Sequence, residues 1–239
     1  RGIIYYNGKV KSKLDKDNDE FKNINTLLIF LDEIRDKNII DIEKKLIAIN
    51  KKGVVLLEAK GIDEIIYKRN LAFSLINRYN INILKGTKEE INSLIALEDN
   101  EKNKNFNYRN FAKTNDCILI IKDKKYYITD GYSEFYIKNK NNYFNDEEYI
   151  DNIYTGVLAS SIGICNNKSE IIQSVLISTL SFYIAQEASI ELFKYQFEDD
   201  IDKNDINLVN EYLLEEISKI NVDKIKSYGD VEYYFKRNR

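Results

Sequence analysis

Three features of this sequence predict an α/β fold with a mainly parallel central sheet and helices on both faces. Short continuous apolar runs recur, as strands covered on both faces require. Each of the first three runs is followed by a segment with apolar residues at helical spacing. The repeated β-α order favours parallel strands joined by crossover helices. With no internal repeat, no Pro/Gly/Ser-rich linker and no break in composition, residues 1–239 are expected to form a single domain.

The first run is Thr26 to Leu31, all apolar after Thr26. Residues 36–52 follow as a helix with Ile39, Ile40, Ile42, Leu46 and Ile49 at roughly helical spacing, ended by Gly53. Val54 to Leu57 is a second buried strand, and 64–79 a helix with Ile65, Ile66, Leu71, Leu75 and Ile76 inward. Ile81 to Leu84 is a third strand. From Thr87 to Leu97 a helix is expected, with Thr87 and Glu90 at capping-box spacing. A polar loop covers 98–105, and a short helix near 106–115 leads to a fourth strand, Cys117 to Ile121. Lys122 to Lys125 reads as a hairpin turn into Tyr126 to Thr129. Asp130-Gly131 closes that strand, and another runs through Phe135 to Ile137. A small-residue helix is expected from about 155 to 165, then a long apolar helix over 169–193 and an amphipathic one over 205–219. The end, Lys236 to Arg239, reads as solvated.

Composition narrows the function classes. Lys plus Arg is 36 against 39 Asp plus Glu, a net charge of −3, so nucleic acid is not an expected partner. No apolar run approaches the roughly 18 residues that a membrane helix needs, so no membrane partner is expected, and the start does not read as a signal peptide. The chain has no His, which removes the commonest general base and most zinc sites. Pro, Met and Trp are absent too, while Tyr numbers 18. Cys117 and Cys165 are far apart and form no CxxC pair, which fits a reducing cytoplasm and buried thiols. Asn167-Lys168-Ser169 matches a glycosylation sequon, an accidental match in a cytoplasmic chain.

In open α/β sheets ligands bind beyond the carboxyl ends of strands. Four segments fall there: Glu58 to Asp63 with Gly61, Lys85 to Glu90, Lys122-Asp123, and Tyr154-Thr155-Gly156 at the expected start of the small-residue helix. A helix N-terminus with small residues can hold an anion through free backbone N–H groups. Carboxylates beside it can hold a Mg²⁺ ion that bridges phosphates.

The order and spacing of these blocks resemble the hydroxyethylthiazole kinase family of thiamin salvage, a ribokinase-like group. Its Asp-Pro-Val-Gly block corresponds to Glu58-Ala59-Lys60-Gly61, and its Arg-Gly-Asn-x-x-Glu-Ile block to Lys85-Gly86-Thr87-Lys88-Glu89-Glu90-Ile91, with no gap between the two. Its Thr-Gly, hairpin, Val-Thr-Asp-Gly block corresponds to Lys122-Asp123 and then Ile128-Thr129-Asp130-Gly131. Its Gly-Thr-Gly-Cys helix start corresponds to Ile153-Tyr154-Thr155-Gly156. Tyr183 to Ala188 resembles its next helix, and the resemblance spans roughly 10–239.

The resemblance implies a cytoplasmic homotrimer with sites between subunits. It implies transfer of the γ-phosphoryl group of ATP, with Mg²⁺, to 4-methyl-5-(2-hydroxyethyl)thiazole. By position, Thr87 and Glu90 stand at the metal site, Lys122, Asp130 and Gly131 at the nucleotide, Glu58 and Gly61 on the substrate side, and Thr155 and Gly156 at the catalytic helix start. Gly156, or Val157 if the block slips by one, stands where the family has its catalytic Cys, and Cys165 lies about two helical turns further on. Ile153 and Thr155 replace the two cradle glycines, Thr87 replaces the Asn, and Lys122 replaces the phosphate-contacting Thr. An acidic stretch, Asp202 to Asn207, stands where a Gly-rich segment is expected, and the family's N-terminal His-Asn-Ile-Thr segment has no counterpart. Two readings follow: a kinase that uses Lys122 as a substitute phosphate contact, or a family fold without catalysis that acts in binding or assembly. A restricted-alphabet variant of a family enzyme is a third.

Overall fold

The computed structural model describes residues 24–49, 53–95, 104–138, 148–197 and 205–235. Seven strands form one sheet: β1 (Thr26–Phe30), β2 (Val54–Glu58), β3 (Ile83–Thr87), β4 (Ile118–Lys122), β5 (Lys125–Thr129), β6 (Ser133–Lys138) and β7 (Val231–Phe235). Their order across the sheet is the order along the chain. β1 to β4 are mutually parallel, and β4 to β7 pair antiparallel. The sheet is therefore half parallel and half meander. The continuous apolar runs marked its parallel half, whose strands are covered on both sides.

One face carries α1 (Asp36–Ile49), α2 (Ile66–Arg78), α3 (Lys88–Ile95) and α4 (Lys104–Thr114). Val55, Leu57, Leu84, Leu119 and Ile121 point to this layer. The opposite face carries α5 (Glu148–Ile162) and α6 (Lys168–Phe197), with α7 (Ile206–Ser218) and α8 (Val222–Tyr228) packed on α6. Leu56, Ile83, Ile118, Ile120 and Ile128 point there. The period-two alternation of a strand sends neighbouring side chains to opposite layers. Burying each large apolar chain this way contributes about 1.5–3 kcal/mol. Gly163, just after α5, has no room for a side chain, because a Cβ would stand 2.7 Å from Thr26 Oγ1 of β1.

Several expectations change. β3 runs on to Thr87, so Lys85, Gly86 and Thr87 are strand residues rather than loop residues. The small-residue helix begins at Glu148, about two turns before the expected start near 155. The cause is local: Tyr149 to Ile153 contains no Gly or Pro that would stop a helix from extending backwards. The long helix extends to Phe197. α8 and β7 have no counterpart in the sequence reading, and β7 borders the meander beside β6. Lys236 to Arg239, residues 98–103 and residues 202–204 of the acidic stretch lie outside the described residues. Among the described residues, no helix is long and apolar enough to cross a membrane.

Candidate functional site

Four strand residues at the carboxyl end of the parallel half point to the α5 layer: Glu58, Lys85, Lys122 and, on β5, Tyr126. They share the parity of Leu56, Ile83, Ile120 and Ile128. Register makes them neighbours, since Glu58 pairs with Lys85 and Lys122 with Tyr126. α5 lowers Asp151, Tyr154 and Thr155 onto them. These lie three and four residues apart on the stripe that continues through Leu158 and Ile162 to the core.

The resulting cluster is closed. Lys85 is 1% exposed and Glu58 4% exposed. Lys85 Nζ lies 2.5 Å from Glu58 Oε1 and 2.7 Å from Asp151 Oδ2. Lys122 Nζ lies 3.4 Å from Asp151 Oδ1, and the Tyr126 hydroxyl 3.5 Å from the same oxygen. Thr155 Oγ1 lies 2.9 Å from Glu58 Oε2 and 2.9 Å from the Asp151 carbonyl oxygen. The Lys85 ammonium also sits 5.4 Å above the Tyr154 ring. Tyr126 packs edge-on against Tyr154 and Tyr183, each with centroids 5.3 Å apart. This wall keeps water from Lys85 and Glu58 and strengthens the charge interactions there, while the Lys122 and Asp151 side chains stay 20% and 21% exposed.

Charge within the cluster follows from this arrangement. Burial pushes the Glu58 carboxyl up to about 7, against the pull of Lys85 and with the help of the Asp151 charge. Burial pushes Asp151 the same way, but Lys85 and Lys122 outweigh it and hold that carboxyl below its ordinary range. Burial disfavours the charge on Lys85, yet Asp151 and Glu58 more than compensate and raise it. The pair thus takes up its first proton on Glu58. A proton on Glu58 Oε2 satisfies the geometry, since Glu58 then donates to Thr155 Oγ1 while Thr155 donates to the Asp151 carbonyl.

The other expected site residues fall into two groups. Thr87, Glu90 and Gly61 form a structural clasp. The Thr87 N–H donates to Glu90 Oε2 (2.7 Å), the Glu90 N–H to Thr87 Oγ1 (3.2 Å), and the Gly61 N–H to Glu90 Oε1 (2.8 Å). This is the expected capping box at the start of α3, extended to pin the β2–α2 loop. Both carboxylate oxygens of Glu90 thus accept backbone N–H groups. Asp130 and Gly131 lie at the opposite end of the sheet. Thr129 pairs with Leu119, three residues or about 10 Å along β4 from Lys122. Asp130 Oδ1 accepts from the Tyr132 and Ser133 N–H groups, and Gly131 has φ +90° against the backbone of Lys113. These two residues build the β5–β6 turn and do not join the cluster.

Gly156 and Thr155 lie two turns inside α5, so they do not stand at a helix start. A backbone N–H in a helix interior is bonded to the carbonyl four residues before it, which leaves no anion cradle at these positions. Cys117 is buried, with its thiol pushed up to about 12, and Cys165 is half-buried. Among the described residues, no three of His, Cys, Asp and Glu converge on a point that could hold a metal ion. Among the described residues, the donors at this site do not suit a Mg²⁺ ion: Glu90 is occupied by N–H groups, and Asp151 lies between two ammonium groups.

The loop-by-loop reading places Lys85 in a loop rather than in β3, and it names neither Asp151 nor Tyr126 as a site residue. The available signal was a lysine in an apolar strand, in register with a glutamate on a neighbouring one.

No family model and no curated protein matches this chain. Solved structures do. A hydroxyethylthiazole kinase from Pyrococcus horikoshii OT3 superposes with a TM-score of 0.70 at 14% identity, over 91% of this chain and 80% of that one. A Streptococcus mutans protein of unassigned activity gives 0.56 at 17% identity, over 84% and 69%. Fructokinase from Vibrio cholerae O395, in a form with fructose, ADP and calcium ion bound, gives 0.52 at 12% identity; the match covers 67% of this chain and 54% of the fructokinase. Likeness at these identities establishes architecture alone: the chain has the ribokinase-like layered α/β fold.

Proposed function

We propose that this chain is a non-catalytic relative of the hydroxyethylthiazole kinase type, acting as a binding or assembly protein. The observation that carries this reading is the path of α5. Because the helix starts at Glu148, Thr155 and Gly156 are internal, and Asp151 takes the space between Lys85 and Lys122. Transfer of a phosphoryl group depends on positioning and on stabilising charge at an open phosphate cradle. Here both lysines neutralise the protein's own carboxylate. The order of the sequence blocks favours a second reading, ATP- and Mg²⁺-dependent phosphorylation of hydroxyethylthiazole. One titration separates the two. Calorimetry of the full chain with ATP and Mg²⁺, then with hydroxyethylthiazole, is expected to give no binding tighter than about 1 mM. ATP binding in the micromolar range followed by release of ADP would overturn the non-catalytic reading.

The α1–α2 surface supports the assembly role. The Tyr67 hydroxyl donates to Asp36 (2.6 Å) and Arg78 pairs with Glu43 (2.6 Å), so the two helices lie side by side. Ile40 and Ile47 on α1 and Ile66 on α2 are each more than half exposed. Large apolar side chains in this position are what a second copy would cover. Together with the resemblance, this favours a homotrimer. Sedimentation velocity at micromolar concentration is expected to show a species near three times 28.1 kDa, dissociated by Ile40→Asp. A monomer at every concentration would remove the homotrimer from this reading.

A further inference from the structure

We propose that β7 is a self-pairing border strand: two copies of the chain join it edge to edge, antiparallel, across a two-fold axis at Tyr233, and their two sheets become one. The inference goes beyond the non-catalytic reading and does not rest on it. It adds an interface at the opposite border of the sheet from α1, which packs on β1 and β2.

β7 ends the sheet, so among the described residues one row of its backbone N–H and C=O groups has no strand beside it. β1, at the other border, lies against α1 and α5, whereas β7 packs chiefly on β6. Val231 and Tyr233 are 39% and 53% exposed. Border strands are commonly protected by Pro, Lys or a bulge. Residues 231–235 contain neither Pro nor Lys, and their register with β6 is unbroken. The charge they do carry, on Glu232, is held by Lys138 at 2.9 Å. Such a strand is a template for another.

The order of charges selects a second copy. Asp230 and Glu232 stand at the start of β7, and the sequence after it, Lys236 to Arg239, carries three positive charges. Reversed against itself, the segment sets its acidic start against its basic end. Two-fold pairing makes one residue face itself. At Glu232 two carboxylates would meet, and like charges directly opposite destabilise a sheet. At Tyr233 two rings meet instead, and Asp230 takes the register position of Lys236 in the second copy.

The α6 side of the strand has room for this. Parity with Phe135 and Ile137 sends Tyr233 and Val231 to that side. There Phe135 and Tyr233 stack with centroids 4.8 Å apart, and they floor a groove of about 560 Å³ walled by Ile172 and Leu176. Tyr233 of the second copy would extend the stack and bring the two grooves side by side. A contact of one short strand from each copy is smaller than the interface of a stable dimer, so it forms only at high concentration.

The test is sedimentation velocity from about 1 to 300 µM, on the wild-type chain and on Ile40→Asp, which removes the α1–α2 contact. Ile40→Asp is expected to move from 28.1 kDa toward twice that mass as concentration rises, and wild type toward twice the mass of its own low-concentration species. Tyr233→Lys and Tyr233→Asp, each in the Ile40→Asp chain, are expected to weaken the doubling at least tenfold, because like charges then face each other across the axis. An equimolar mixture of the two is expected to restore it. Circular dichroism and melting report whether both variants fold. Where a charged variant does not, Tyr233→Thr takes its place, with a weakening of at least threefold expected. A constant mass for Ile40→Asp at every concentration overturns the proposal and leaves the border to a strand of a different protein. Doubling that survives the Tyr233 substitutions overturns it as well, as does a mixture that stays single. The homotrimer reading fails by a different sign: wild type and Ile40→Asp would then have equal mass at the lowest concentration.

Discussion

Replacing Lys85 with Met is expected to lower the free energy of unfolding by about 3–5 kcal/mol, the largest effect of any single substitution in the cluster. Lys85 is 1% exposed and holds two carboxylates, Glu58 at 2.5 Å and Asp151 at 2.7 Å. Met fills nearly the same space along the strand, so little of the loss would come from packing. The loss would come from two close acidic groups left with Lys122, 3.4 Å from Asp151, as their remaining cation. Removing one of them should restore much of it, so Lys85→Met/Glu58→Gln is expected to recover at least half. Urea unfolding of the three proteins at constant pH measures this. A loss below about 1 kcal/mol for Lys85→Met would show that water reaches the cluster.

The second large effect is a fall in stability as pH rises from about 5 to 8. The folded Glu58 carboxyl is pushed up from an ordinary 4.5 to about 7 by burial. Between those values the folded chain binds more protons than the unfolded chain. Stability from this group is therefore full below 4.5 and lost as pH climbs through 7, by about 3 kcal/mol at most. Asp151 has the opposite sign, because its folded value is depressed. Its contribution is present above an ordinary 3.8 and is lost only on stronger acidification, outside this window. The chain contains no His, so the side chains that usually dominate this pH range are missing. Unfolding free energies at pH 5, 6.5 and 8 should decline for the wild type and stay nearly level for Glu58→Gln. A level wild-type profile, or an undiminished slope in the variant, would mean that Glu58 stays ionised throughout.

The parallel half of the sheet was legible because its strands are covered on both faces and so appear as unbroken apolar runs. Glu58 and Lys122 were legible too, since each stands at the carboxyl end of such a run. Lys85 was read as the start of a loop, because a charged residue after Ile81 to Leu84 looks like the end of a strand. In fact β3 continues, and parity with Ile83 carries Lys85 into the core, where Glu58 and Asp151 compensate its charge. Asp151 was hidden for another reason. The expected helix start rested on the small residues near 156, whereas the segment before them has no Gly or Pro to stop the helix and adds two more turns. Asp130 and Gly131 show the limit of matching by block order. Their sequence neighbours fit the resemblance, but the antiparallel return of β5 carries them to the far end of the sheet. β7 was missed because Val231 to Phe235 is a border strand in which Glu232 interrupts the apolar run, so it carries no unbroken apolar signal.

Strand order in this sheet equals chain order, and this has a consequence for how the protein is made. As the chain emerges from the ribosome, β1 to β4 can pair in sequence, each with the strand just completed, and α1 to α4 can seal one side. The other side has no cover until α5 and α6 are synthesised. In that interval Leu56, Ile83, Ile118 and Ile120 face water, and Glu58 and Lys85 have only each other. Asp151, 66 residues beyond Lys85, arrives with the helix that closes this surface. The nascent intermediate therefore presents a sticky apolar sheet marked at one edge by an ion pair awaiting its third member, a natural substrate for a chaperone that shields hydrophobic faces during translation.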